Sequence, residues 1–325
     1  MIDPVLEQGN IDIRKCKWRL HQMYERCVDE IIVAFSPFLD ALYHLEEIAP
    51  DKGRAEWLKK ERRKLIADMT PHSDMLNIIR QTQRKAYPVA LAPIREIYRR
   101  NFLYIIKLVS EEIQLTADML LDMWAAGLLN DYDELIEESD SEHPETPEAQ
   151  AIAAWRESLY EEKNGEQAAE NFMNAIPGMK GEIRDKVKYG IRDVVGKAER
   201  HIDRFVDNLD SHFTNAGRVE GGEALEEEFG VETKKVWICT FQNSRDSHIA
   251  MHLQVRDLDE DFISGLGNVL RFPGDMLAPV EDWINCQCYV VIVPATMVGD
   301  DGKLLKEITD YTGKLTDKDL KETLQ

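Results

Sequence analysis

Two cysteines one residue apart, Cys286 and Cys288, open the apolar run CQCYVVIVP toward the C-terminal end of the chain. Thiolates bind soft metal ions and attack electrophiles, so a Cys-x-Cys pair raises both chemistries. Upstream, SRDSHIAMH sets His248 and His252 four residues apart, which on a helix turns both imidazoles to one side. His248, His252, Cys286 and Cys288 together make a Cys2His2 set of zinc-compatible donors. The expectation is no cofactor, with zinc as the one alternative, which would brace a small domain with a modest core. Cys-x-Cys is nevertheless tighter than the usual Cys-x-x-Cys ligand spacing.

The same residues admit other readings. Arg245 or His248 could lower a thiol pKa and make a nucleophile. Arg218 with Glu220, and Asp246 with His248, are of the types that do general acid–base work. A metal-dependent hydrolase or nuclease using His248, Cys286 and Cys288 is therefore the enzymatic alternative. The chain carries no nucleophile elbow, P-loop or HExxH, so the leading expectation is no catalytic residues and no enzyme. In the structural reading the two cysteines flank the start of a strand. Alternation points both to one face, one packing inward beneath Trp237 or Trp283, while Arg245 and His248 bond loop carbonyls. A disulfide between them would close a strained ring.

The elements that must hold these residues are of two kinds. Residues 11–48 repeat apolar positions at helical spacing (Ile13, Lys17, Leu20, Tyr24, Cys27, Ile31, Phe35, Phe38), with Pro37 kinking the run or starting a new helix. Residues 53–68 form a basic amphipathic helix. Helices are expected over 73–87 and 93–129, separated at Pro88, and over 149–174. An acidic, proline-containing linker lies around 138–148, and AIPGMKG reads as a turn. A long helix follows from 181, with Ile183, Val187, Ile191, Val194, Ile202, Phe205 and Leu209 on one face, and the glycines of TNAGRVEGG end it. After that, KKVWICTFQ and CYVVIVP are strand-like. The expected fold class is α+β: a large, mostly helical N-terminal region followed by a small α+β C-terminal domain. The expected division is a helical region at 1–140, a linker and long helix at 141–216, an α+β domain at 217–298 and a polar tail at 299–325.

Composition narrows the function. The chain has 325 residues, is 43% hydrophobic and 31% charged, and has a net charge of −21. Such an acid excess opposes whole-surface binding to nucleic acid. The charge is unevenly spread, with 14 Lys/Arg against 6 Asp/Glu over 51–110 and 2 against 18 over 111–170. Two such blocks are either solvated helix faces that partly pair or faces for different partners. The basic block, with Lys59, Lys60, Arg62 and Arg63 at its centre, is a candidate contact for DNA or for an acidic protein surface. No stretch is apolar enough to span a membrane, and the N-terminal MIDPVLEQGNIDIRK does not read as a signal peptide. Five cysteines do not make a disulfide framework, which suits a reducing cytoplasm.

The order of the C-terminal motifs carries more. GRVEGGEAL, VWICTFQNSRDSHIAMHLQV and RFPGDMLAPVEDWINCQC occur in that sequence. The series resembles the C-terminal domain of the phage Mu F-like minor head proteins, the phage head morphogenesis family. The residues that carry the resemblance are Arg218 and Glu220, Lys235 and Trp237, Ser244, Arg245 and His248, Pro273 and Pro279, and Asn285, Cys286 and Cys288. Gln287 stands between the cysteines where members often have arginine, and His252 is not part of the family pattern. The resemblance implies a minor capsid protein of a tailed phage, carried into the capsid interior near the portal after synthesis in the host cytoplasm. It implies portal binding and a part in head morphogenesis, genome packaging or ejection. The partners it implies are the portal protein or the capsid interior, with packaged DNA as a weaker one, and the helical N-terminal region would supply partner contacts.

Overall fold

The computed structural model describes residues 4–112, 132–161, 163–241 and 244–308. The fold is α+β, with long helices first and a few antiparallel strands near the C-terminal end. Helix α1 (Pro4–Ala34) and helix α2 (Ser36–Ile48) meet at Phe35, and Pro37 lies in the first turn of α2, where its missing N–H costs nothing. The expected apolar stripe from Ile13 to Phe38 is buried apart from Lys17, whose inward place Cys16 takes. Helix α3 spans Arg54–Met69.

Helix α4 (Pro71–Glu112) corrects the expectation of two helices separated at Pro88, because it runs unbroken through both Pro88 and Pro93. Pro93 has no N–H to give the carbonyl of Val89, and the Cys16 thiol donates to that carbonyl instead, at 3.3 Å. Burial pushes the Cys16 thiol up to about 11, so it stays a neutral donor. The expected helix over 113–129 lies outside the described residues.

The acidic linker is ordered around one side chain. Glu138 accepts the backbone N–H groups of Glu145 and Thr146, at 2.7 and 2.6 Å, and the Thr146 hydroxyl, at 2.9 Å. Thr146 in turn accepts the Ala149 N–H and so caps helix α5 (Pro147–Glu161). Helix α6 (Lys163–Ala175) and a 3-10 turn (Ile176–Gly178) follow.

Helix α7 (Ile183–Phe229) is the second correction. TNAGRVEGG does not end it; the helix continues to Gly230, whose left-handed φ of 64° supports two closing bonds, Gly230 N–H to Glu226 and Val231 N–H to Leu225. The earlier glycines serve packing. A Cβ at Gly217 would stand 2.6 Å from the carbonyl oxygen of Tyr98, and one at Gly221 would stand 2.9 Å from that of Phe102, both on α4. Glycine there lets two helix backbones touch.

The chain forms two compact units, each discontinuous in sequence. One comprises Cys16–Ala90 and Trp155–Asp203. In it α3 is anchored by Arg62, and Arg80 pairs with Glu166. The other comprises Met1–Lys15, Leu91–Ala154 and Arg204–Gln325, and it carries the strands. Strands β1 (Thr233–Ile238), β2 (Val255–Asp257) and β5 (Tyr289–Pro294) form an antiparallel sheet in the order β2-β1-β5. Val236 faces Val291 and Trp237 faces Val290 across the β1–β5 ladder. Strands β3 (Phe262–Ile263) and β4 (Val269–Leu270) make a short hairpin. Helices α8 (Asp246–Ile249) and α9 (Val280–Trp283) are single turns. Residues 299–308 are held by the Val298–Leu304 bridge and by Lys306 pairing with Glu112 at 2.7 Å; the rest of the expected tail lies outside the described residues.

Candidate site at the closing strand

Strand β5 is buried over nearly its whole length, so its backbone must be met by partners on more than one side. The C-terminal part of α7 supplies them. Asn208 and Asn215 are seven residues apart, two turns, and therefore share a face. The Asn208 side-chain oxygen accepts the Asn285 N–H at 2.6 Å, and that of Asn215 accepts the Val290 N–H at 2.7 Å. The Asn215 amide nitrogen donates to Pro273 at 2.9 Å. One turn further, fully buried Arg218 donates to the Val290 carbonyl at 3.0 Å and to the Asn101 side chain at 2.7 Å. Its guanidinium also lies over the rings of Tyr104 and Tyr289, 5.3 and 5.4 Å from their centroids.

The turn into β5 is held from the opposite side of the sequence. Arg245 donates to the Asp282 carbonyl at 3.3 Å and to the Ile284 carbonyl. Asn285 takes a left-handed φ of 53°, which asparagine tolerates better than most residues. This places Cys286 and Cys288 in a packed cluster with Trp237, Cys239, Met251, Phe262 and Leu270.

His248 meets both sulfurs. Its Nδ1 lies 3.6 Å from Cys286 Sγ and 3.8 Å from Cys288 Sγ. Its Nε2 faces Asp282 Oδ1 at 3.4 Å, yet neither atom has an aligned hydrogen bond among the described residues. Asp282 is itself fixed, since its Oδ2 accepts Ser264 Oγ at 3.1 Å and Asn268 Nδ2 at 2.7 Å. The Trp237 ring stands edge-on to the imidazole, 5.4 Å between centroids. The neighbouring Cys288 side chain, with the backbone N–H groups of Cys288 and Gly274, holds the Cys286 thiol below its ordinary value despite burial. The same contact between the two side chains, with burial, raises Cys288.

His248, Cys286 and Cys288 are thus the residues that could hold a metal, with donor atoms all within 4.8 Å of one another and all three side chains buried. His252 stands apart from this trio, correcting the four-ligand set. The loop after α8 turns it away, so that its Nδ1 accepts the Cys239 N–H at 3.2 Å and its ring packs on Phe241. The acid–base pairings also separate. Arg218 points into the sheet, while Glu220, two residues on, bonds Tyr98. The carboxylate beside His248 is Asp282, and Asp246 is exposed.

Arg62 is corrected as a surface contact. It is 2% exposed, donating to Met179 O at 2.8 Å and pairing with Glu46, whereas Lys60 and Arg63 are exposed and Lys59 is half-buried. Asp282, Asn208 and Asn215 were not singled out in the sequence. The aspartate inside VEDWINC and the seven-residue spacing of the two asparagines on one helix face were the available signals.

Two neighbouring cavities lie elsewhere in this unit. One, about 160 Å³, is lined in part by Tyr98, His212, Glu220 and Arg271; the other, about 260 Å³, by Glu223, Lys235, Asp259 and Asp261. Burial pushes Glu220 up to about 8, with Glu223 adding to it, and pushes His212 down to about 4. Neither cavity is lined by His248, Cys286 or Cys288. Comparison with protein-family models, curated proteins and solved structures returned no match.

Proposed function

We propose that the chain is a minor head protein of a tailed bacteriophage, bound to the portal or the inner capsid surface and acting in head morphogenesis, DNA packaging or ejection. The resemblance in motif order is the ground for it. The observation that carries it furthest is that seven of these scattered motif residues have one shared task. Arg218 bonds the β5 backbone, Arg245 bonds the turn before it, Asn285 makes that turn, and His248, Trp237, Cys286 and Cys288 pack at its mouth. An ordered set of short motifs is what a single small fold requires when each piece seats one strand.

A binding role suits the surface of this unit, where Leu253, Ile263, Leu266, Val269 and Val280 are exposed. The burial of the cysteine–histidine trio away from both cavities favours a structural task over a hydrolase or nuclease. DNA is the weaker partner. Besides Arg62, the basic block has Arg80 paired with Glu166, Arg95 with Asp133 and Arg100 with Asp12, and the net charge is −21. The location that goes with this reading is the virion interior near the portal, reached from the host cytoplasm.

The test is co-expression of the full chain with the portal protein of the genome that encodes it, followed by pull-down through a tag on the portal. The expected result is stoichiometric recovery that survives moderate salt. Failure to associate with either portal or procapsid removes the proposal.

A further inference from the structure

We propose that His248 Nδ1, Cys286 Sγ and Cys288 Sγ bind one thiophilic divalent ion of the zinc class, with Asp282 as the positioning residue that orients the imidazole. A tetrahedral zinc with sulfur at about 2.3 Å and nitrogen at about 2.0–2.1 Å holds those two donors about 3.5–3.6 Å apart. The two nitrogen–sulfur separations here are 3.6 and 3.8 Å. The trio therefore stands close to ligand spacing already, with three buried side chains that need little movement.

The far side of the ring is an independent observation. His248 Nε2 and Asp282 Oδ1 are both buried and 3.4 Å apart without an aligned bond. A metal on Nδ1 places the ring proton on Nε2, directed at Asp282, and a small turn of the imidazole closes that bond. Asp282 is held for this by Ser264 and Asn268. Histidine ligands are commonly backed by a carboxylate in this way. Both thiols enter as thiolates, and their protons leave to solvent. Three protein ligands leave one tetrahedral position for a solvent molecule.

The ion would tie α8 to the turn that starts β5, joining two segments 38 residues apart in sequence. Its binding does not depend on whether the chain binds a portal. His252, with Nδ1 engaged by Cys239, takes no part.

The full-length chain purified without chelator and under reducing conditions tests this. Elemental analysis is expected to find about one zinc per chain. Zinc titration into chelator-treated protein should restore it, and cobalt(II) should give thiolate-to-metal charge-transfer absorption. Asp282→Asn is expected to weaken zinc binding about 10–100-fold while keeping the metal ligands, and His252→Ala to leave it unchanged. Cys288→Ser should abolish the cobalt band. If that variant does not fold, chelation of the wild-type chain still decides, because it should lower the melting temperature reversibly. Zinc well below one per chain with no uptake on titration, or binding lost in His252→Ala but kept in Asp282→Asn, would overturn the assignment.

Discussion

At the scale of single residues, the account turns on polar side chains that meet the backbone of one strand. Arg218 is the most constrained. It is fully buried, and its bonds to Val290 and Asn101 lie where water cannot substitute. Arg218→Ala is expected to cost about 3 kcal/mol or more in urea unfolding. Arg218→Lys should recover only part, because a point charge cannot reproduce a fork that serves two acceptors at once. A change under about 0.5 kcal/mol for the alanine variant would contradict the role given to it. Much of the site could be read from residue types. Trp237, Arg245, His248 and the two cysteines were visible as a motif series, and they do converge. What could not be read was which histidine faces the sulfurs, since that depends on the chain leaving helix after Ile249. Asp282 was hidden for a similar reason: only the folded turn brings it to the imidazole.

At the scale of elements, composition rules worked where local chemistry decides and failed where packing does. Pro37 begins a helix as expected, and the β-branched runs are strands. Pro88 and Pro93 fail to break α4, and at Pro93 a thiol from another helix supplies the missing donor. Likewise Gly217 and Gly221 do not end α7, because their lack of a side chain is used for contact with α4. Two glycines of the same helix should therefore respond oppositely to alanine. At Gly196 a Cβ would meet only the flexible tip of Arg200, at 3.5 Å, so Gly196→Ala should stabilise by up to about 1 kcal/mol. At Gly217 the Cβ would strike a carbonyl, and Gly217→Ala should destabilise by about 1–3 kcal/mol. Thermal melts of the two variants check this, and equal shifts of the same sign would remove the packing explanation.

At the scale of the whole molecule, the proposed role through partners rests on the motif order and not on the charge pattern. Pairs such as Arg80–Glu166 and Arg95–Asp133 join the basic and acidic blocks, so part of what looked like two opposed surfaces is internal compensation. Among the described residues no helix is long and apolar enough to cross a membrane. The functional reading then rests on the C-terminal motif series and on the strand it seats. It is tested most directly by quantitative mass spectrometry of procapsids and mature heads assembled from the genome that encodes this chain. The account predicts the chain in purified procapsids and mature heads, at low copy relative to the major capsid protein. Its absence from both kinds of particle would contradict the account.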